Sequence, residues 1–306
     1  LEEESLSKII QDFGFELLHL NAKSLEKDAN STHEIYKLRN CSWLICDGYH
    51  FTPKYHESLK SSGCRILIID DFNHIEYYHC DILLNQNLNA HHFEYKIDPS
   101  TKSLLGSNYV MLRDEFLDKN FSICTHVGFS KSSKINVLVT MGGTDPENTT
   151  LKAAEAFNLL KHDLHIRFIV GAGYKNIPVL KNMLNKSSLK YEIIVNTKQM
   201  PDLMSWCDIA LSAAGSTAWE LLFFGIPAVF LINALNQEKV AQSIGQIGAG
   251  INAGWQNQIT EATLAGYIHD LIDSPSMAQN ISQNARKIID GNGKTRIIKV
   301  MNSFLA

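Results

Sequence analysis

The stretch Ser212-Ala213-Ala214-Gly215-Ser216-Thr217-Ala218-Trp219-Glu220 leaves few folds open to this chain, because apolar residues 209–211 precede it and Gly225-Ile226-Pro227-Ala228-Val229-Phe230 comes after. Residues 208–211 read as a short buried strand, the small residues as a tight turn, and Ser216 or Thr217 as the cap of a helix running to about Phe224. Gly225 ends that helix and Pro227 opens the next strand. A helix that starts just past a strand presents unpaired N–H groups and the positive end of its dipole, which suits a phosphate. Glu220 lies one helical turn beyond the cap, where its carboxylate could reach a ribose hydroxyl. An ordinary strand–turn–helix packing unit would use the same residues, so the rest of the chain has to decide.

The alternation continues on both sides. Residues 6–13 have helical spacing ended by Gly14, and 15–20 alternate as a strand. Trp43-Leu44-Ile45-Cys46 is a buried-strand run ending in Asp47-Gly48-Tyr49-His50, and a helix over 53–61 comes next, with Pro53 in its first turn and Gly63 as its stop. Strands over 65–69 and 81–84 run into Asp70-Asp71 and Asn85-Gln86-Asn87. Between residues 118 and 134 the chain turns polar and Ser/Lys-rich, the composition of a linker. A second series starts at Ile135, with strands at 135–140, 164–170 and 191–195 and helices to about Leu160 and over 199–206; two helices over 274–305 close it. Strands alternating with helices imply parallel βαβ units, whose ligands sit outside the carboxyl ends of the strands. Asp47-Gly48-Tyr49 and Asp70-Asp71 stand at such ends. The expected organisation is two α/β domains, 1–120 and 135–306, joined by a linker over 121–134.

Composition narrows the partners. A length of 306 residues with 45% hydrophobic and 20% charged side chains suits two ordinary globular domains. A net charge of −4 argues against nucleic acid or an anionic membrane as the main partner. No apolar run approaches the roughly 20 residues that span a bilayer. The start Leu1-Glu2-Glu3-Glu4 is unlike a signal peptide. The six Cys form no CxxC pair, which fits reduced thiols in the cytoplasm, and the His between His33 and His126 show no metal-ligand spacing.

A second phosphate-sized turn lies after the strand at 135–140, where Met141-Gly142-Gly143-Thr144-Asp145-Pro146-Glu147-Asn148 leads into a helix. Glycines let a backbone approach a bound group closely, although many βα turns use them only for positive φ. The segment is neither the GxGxxG dinucleotide fingerprint nor a P-loop. With Gly215-Ser216-Thr217 it gives two small-residue helix starts at one sheet edge, as a single diphosphate site would need.

These residues resemble the UDP-sugar hydrolases of the pseudaminic acid pathway, which release UDP from UDP-2,4-diacetamido-2,4,6-trideoxy-β-L-altropyranose. The resemblance extends over most of the chain and includes Asp47-Gly48-Tyr49, Ile69-Asp70-Asp71, Cys80-Asp81-Ile82-Leu83-Leu84-Asn85-Gln86-Asn87, Tyr109-Val110-Met111-Leu112-Arg113-Asp114-Glu115-Phe116, the Met-Gly-Gly-Thr-Asp turn, the Ala-Gly-Ser-Thr turn with Glu220, and Asn236-Gln237. The Ala-Gly-Ser-Thr…Glu pattern is shared with the murein glycosyltransferase and the wider GT-B class. The resemblance implies two Rossmann-like domains facing a cleft, with UDP mainly on the C-terminal one. It places diphosphate contacts at Gly142, Gly143 and Gly215, Ser216 and Thr217, with Thr144, Asp145 and Ala214 alongside. It places the ribose at Glu220, the uracil near Thr197 and Met200, and Asn236 and Gln237 toward the sugar or phosphate. Tyr49 matches a tyrosine of the first domain that faces the reacting sugar, which makes it the one catalytic candidate here. As alternatives, Glu220 would be a solvated helix residue, Asn236 a plain N-cap, Tyr49 a packing aromatic, and Trp219 core.

One family feature is unmatched. The family opens with a strand and a Gly-x-Gly-His turn whose His is the expected general base, and Leu6 onward resembles only the part of the family that lies after that turn. The first domain is accordingly expected to lack its N-terminal part, the base with it, and an in-frame Gly-x-Gly-His upstream of Leu1 would restore the hydrolase. In the implied reaction water attacks the anomeric carbon, a base of pKa near 7 takes its proton, and helix N-termini stabilise the departing diphosphate. That scheme requires no metal and no cofactor, and its partner is a UDP-sugar; the sequence leaves the oligomeric state open. The alternatives are a GT-B glycosyltransferase using a UDP-sugar and a non-catalytic nucleotide-sugar binding protein.

Overall fold

The structure is a computed structural model that describes residues 7, 10, 11, 13–118 and 134–305. Half of the helix expected over 6–13, and the linker expected at 121–134 apart from its last residue, lie outside the described residues. The chain forms two compact units, Leu1–Tyr109 with Asn292–Ala306, and Val110–Gly291. Each is an α/β unit built on a parallel sheet. Among the described residues no helix is long and apolar enough to cross a membrane.

The first unit carries strands β1 (Leu44–Asp47), β2 (Ile66–Ile69), β3 (Ile82–Asn85) and β4 (Lys102–Leu105), hydrogen-bonded in that order. Successive side chains of a strand point to opposite faces, and the core divides accordingly. Ile66, Ile68 and Leu83 pack with Cys46 against Ala29, Tyr55 and Leu59 of the helices Leu25–Leu38 and Pro53–Ser61. Leu67, Ile82, Leu84 and Leu104 pack on the other face against Ile297, Val300 and Met301 of the helix Gly293–Ser303. That last packing is why the C-terminal helix joins the first unit, whereas the sequence expectation grouped it with 135–306. The expected boundary near residue 120 differs as well, since the second unit begins at Val110.

One local expectation needs correction, and one helix comes unannounced. Residues 15–20 alternate, yet they join no sheet, and Phe15 and Leu18 are exposed. Alternation makes a strand only where a neighbouring strand supplies hydrogen bonds and a core supplies cover. The next stretch, to which the sequence reading assigned no element, holds the helix Leu25–Leu38, started by Ser24, whose hydroxyl accepts from Lys27 N at 3.3 Å. Only Ala29 of that helix is fully buried, so its apolar face is too narrow to announce itself in sequence.

The second unit contains β5 (Ile135–Thr140), β6 (Leu164–Val170), β7 (Lys190–Val195), β8 (Ile209–Ala213), β9 (Ala228–Ile232) and β10 (Ile251–Trp255). Their order is β10-β9-β8-β5-β6-β7, with every pair parallel. From β5 the chain moves outward through β6 and β7, then returns to lay β8 on the opposite flank of β5. This is the doubly wound arrangement, and the reversal between β5 and β8 is its topological switch point, where such sheets leave a crevice for ligands. Apolar strands Ile209–Ala213 and Ala228–Ile232 are buried throughout, as parallel strands covered on both faces must be.

Candidate functional site

The loops leaving β5 and β8 flank the switch point, and an open cleft of about 280 Å³ lies there. Its lining includes Gly142 and Gly143 after β5, Gly171 after β6, Asn196 and Thr197 after β7, and Met200. Ser216, Thr217 and Glu220 on the helix Ser216–Phe224 line it too, as does Arg113. The cleft thus brings together seven of the residues expected from sequence: Gly142, Gly143, Thr197, Met200, Ser216, Thr217 and Glu220.

Neither Ser216 nor Thr217 caps its helix as expected. The N-cap is Gly215, in extended geometry, and no side chain accepts from the first turn. Ala218 N donates to Gly215 O at 2.9 Å, and the N–H groups of Ser216 and Thr217 before it keep their capacity for an acceptor from outside. At the loop after β5 the situation is reversed. Asp145 is buried, and its carboxylate accepts from Thr149 N at 2.9 Å and Thr150 N at 2.8 Å, which satisfies the start of the helix Thr149–Asn158 from within. Asp145 is thus a capping residue rather than the ligand contact expected of it. Of the two helix starts expected to share a diphosphate, one is already occupied by the protein's own carboxylate. The β5 loop offers the cleft the backbone of Gly142, at φ +92°, and of Gly143.

Thr144, Ala214, Gly215, Asn236 and Gln237 are not among the cleft-lining residues, though Gly215 directly precedes two of them. Thr144 is exposed and Ala214 is buried at the end of β8. Gln237 Oε1 accepts from Asn233 N at 2.9 Å, and its amide nitrogen would stand 3.6 Å from a Cβ placed on Gly215, so Gln237 sits beside the open helix start. Asn236 is no N-cap, because Ala234 holds that position for the helix Leu235–Gln246.

Glu220 is not a solvated helix residue. It is 6% exposed, and Arg113 Nε donates to its Oε1 at 2.9 Å. The other oxygen, Oε2, is buried and has no hydrogen-bond partner among the described residues. Burial pushes the Glu220 carboxyl above its usual range, while Arg113 pulls it back. A buried acceptor left unmatched is costly, and a ligand hydroxyl beside Oε2 would relieve that cost. Arg113 reaches Glu220 because its guanidinium lies over the Phe116 ring, at 5.0 Å, and Phe116 packs edge-on against Phe224 of the same helix at 5.6 Å.

Sequence reasoning assigned no role to Arg113, Gly171 or Asn196. Gly171 is fixed by a backbone approach: a Cβ there would collide with the carbonyl oxygen and Cα of Gly143. Gly173 N also donates to Gly143 O at 3.3 Å, so the turns after β5 and β6 are locked together. Gly171-Ala172-Gly173 at a strand end was the available signal. Asn196 turns the chain after β7 at φ +49°, a conformation Asn tolerates better than most residues.

In the first unit, Tyr49 lies just past β1 and is 48% exposed. Its hydroxyl donates to Asp71 Oδ2 at 2.5 Å, and its ring meets those of Phe72 and His74 at 5.0 and 5.4 Å. Asp71 Oδ1 also accepts from Asn87 Nδ2 at 3.0 Å. Asp70 beside it is fully buried and accepts from Asn73 N, His74 Nδ1, Tyr78 Oη and Tyr95 Oη at 2.6–2.9 Å. Burial, with the Asp70 charge next, pushes both phenols well above their usual range. Asp47 at the end of β1 is likewise raised, by burial and by Asp71.

Two parallel-sheet α/β units, one of them doubly wound with an open helix start at its switch point, define the GT-B class of fold. The glycosyltransferase family 28 C-terminal domain matches residues 136–300, and the chain belongs to that family. MurG of Acinetobacter baumannii superposes with a TM-score of 0.67 at 13% identity, covering 97% of this chain and 88% of that one. The UDP-2,4-diacetamido-2,4,6-trideoxy-beta-L-altropyranose hydrolase of Campylobacter jejuni is 25% identical over 79% of this chain and 89% of its own length. An uncharacterised protein of Methanocaldococcus jannaschii is 26% identical over 77% of this chain, and the match spans 48% of that relative's length.

Proposed function

We propose that the chain binds a UDP-linked 2,4-diacetamido-2,4,6-trideoxy sugar and belongs to an enzyme that hydrolyses it, releasing UDP, within nonulosonic acid synthesis in the cytoplasm. The observation that carries the nucleotide site is the switch-point cleft, which sets an uncapped helix start and glycine backbone beside a buried carboxylate with an unpartnered oxygen. In this reading Gly142, Gly143, Ser216 and Thr217 hold the diphosphate, where backbone N–H groups stabilise the charge that grows on the leaving UDP. Glu220 takes a ribose hydroxyl on Oε2, Thr197 and Met200 flank the uracil, and Gln237 with Asn236 serves the phosphate or sugar. Tyr49, oriented by Asp71, contacts the reacting sugar. The hydrolase choice leans on the likeness to the Campylobacter jejuni enzyme. Membership of glycosyltransferase family 28 favours the rival, transfer of the sugar to an acceptor.

The test is UDP release from that deoxy amino sugar nucleotide, with and without candidate acceptors, by this chain and by a form extended upstream of Leu1. Acceptor-independent release is expected. Release only with an acceptor would move the assignment to a transferase, and UDP binding without release in either form would leave a binding protein. Tyr49→Phe is expected to lower kcat while UDP affinity stays unchanged; the opposite pattern would remove Tyr49 from the reaction.

A further inference from the structure

Away from the cleft, three metal-ligating side chains converge in the second unit. His269 and Asp273 are one turn apart on the helix Glu261–Asp273 and so share a face. His162, which stands two residues before β6, meets them from the loop after the helix Thr149–Asn158. His162 Nε2 lies 2.9 Å from Asp273 Oδ1, and His269 Nε2 lies 3.8 Å from Asp273 Oδ2. The two imidazole rings are 5.3 Å apart, and one ligand atom from each residue falls within 4.8 Å of the others.

We propose that His162, His269 and Asp273 form a binding site for a divalent transition-metal ion of the Zn2+ class. Four-coordinate zinc with bonds of about 2.0–2.1 Å needs ligand atoms roughly 3.3 Å apart. His162 Nε2 is 2.9 Å from Asp273 Oδ1, and one ligand atom from each of the three residues lies within 4.8 Å of the others, so side-chain adjustments of about an ångström close the set on an ion. Two imidazoles with one carboxylate is a donor set for zinc and its neighbours, whereas Mg2+ and Ca2+ take oxygen ligands. Binding requires His162 to present a bare Nε2, so the neutral ring carries its proton on Nδ1, which is buried without a partner among the described residues and so subtracts from the affinity of the site. Asp273 is the last residue of its helix, where the carbonyl end of the dipole favours a cation. His269 is half exposed, which leaves the fourth position to water. Across β6 the site lies at the opposite end from Gly171, about 20 Å away along the strand. The ion would therefore tie the loop before β6 to the helix Glu261–Asp273 and stabilise the unit without entering the nucleotide cleft.

The experiment is titration of the metal-stripped chain with Zn2+ by calorimetry, with Mg2+ as control, alongside thermal unfolding and UDP affinity. One equivalent of Zn2+ is expected to bind at micromolar or lower concentration and raise Tm, with UDP affinity unchanged. His269→Ala and Asp273→Asn, both at partly exposed side chains, are each expected to weaken binding by more than the roughly 10–100-fold that loss of an outer partner costs. They should also abolish the Tm rise while keeping wild-type UDP affinity as proof of folding. Zn2+ binding that persists in both variants would place the ion on other His or Cys residues and overturn the proposal. Absence of binding in the parent chain would overturn it equally, and neither result bears on the UDP site.

Discussion

The carboxyl ends of the strands are furnished in opposite ways in the two units. In the first, most polar groups are spent on one another: Asp70 takes four donors, Asp71 holds Tyr49 and Asn87, and Asn85 donates to Tyr95, with His74 Nε2 buried and unmatched among the described residues. In the second, the same edge carries glycines, an uncapped helix and a carboxylate with one oxygen unmatched. A network satisfied from within rigidifies and resists a newcomer, because a ligand would have to replace bonds already made. A set left open gains when a ligand arrives. The nucleotide is therefore expected on the second unit. Even within the second unit the contrast recurs, since Asp145 closes one helix start and Gly215 leaves the other open.

The sharpest way to break this comparison is at Asp70. Asp70→Asn keeps the volume but turns one of its two acceptor oxygens into a donor, set against either the His74 imidazole and the Tyr78 phenol or the Asn73 N–H and the Tyr95 phenol, at a fully buried position. Loss of one partner from a buried charged cluster costs roughly 3–5 kcal/mol. Chemical denaturation should show that loss, while calorimetry below the transition should find UDP affinity unchanged. If UDP binding fell and stability held, Asp70 would be a ligand contact and the first unit an open site after all.

A pair of glycines sharpens the second half of the comparison. Gly171→Ala drives a methyl into the Gly143 backbone, and overpacking of that kind costs about 1–3 kcal/mol. Stability and UDP affinity should fall together. At Gly215 the φ is −90° and the nearest atom to a new Cβ is 3.6 Å away, so Gly215→Ala should fold normally. Its methyl would instead crowd an incoming phosphate and weaken UDP about tenfold, or ~1.4 kcal/mol. Equal effects from the two substitutions in a Tm and affinity measurement would mean that the helix start is not the phosphate site.

Legibility in the sequence divides along the same line. Strand 135–140 is readable to the residue as a nearly continuous apolar run, and 164–170 as an alternation, Leu164-His165-Ile166-Arg167, that passes into the apolar Phe168-Ile169-Val170. The helix Pro53–Ser61 announces itself by Pro53 and Gly63. The helix Leu25–Leu38, with one fully buried residue, does not, and neither does β4, whose pattern shows only Leu104 buried. Among the cleft-lining residues, Gly142, Gly143, Ser216 and Thr217 can be found because turn chemistry restricts them to small types. Asp145 misleads because capping and ligand contact ask for the same carboxylate in the same loop. Arg113 is 107 residues from Glu220, and His162 meets His269 and Asp273 across a similar span, so only the folded chain reveals either pairing.

The smallest expected change in stability is the most discriminating, and it concerns Glu220. A carboxyl whose pKa is raised in the folded state binds more protons there than in the unfolded chain between the two values. Stability then falls as pH rises through and above the ordinary Glu range, so the ionised Glu220 is a liability to the fold at neutral pH. Glu220→Gln removes the charge at similar volume, leaving the half-exposed Arg113 in contact with water. The variant should match the parent near pH 3–4 and gain on it as pH increases, by no more than about 1 kcal/mol, since Arg113 already offsets part of the burial cost. UDP should bind the variant more weakly, by about 1–3 kcal/mol, the loss expected when a hydrogen bond to a charged group disappears. Urea titrations across pH and calorimetry with UDP test both arms. A parent chain that instead gains stability with pH relative to Glu220→Gln would show the Arg113 pair to be a structural tie. Glu220 would then be as satisfied from within as Asp70, and the contrast between the two units would fail at its central residue.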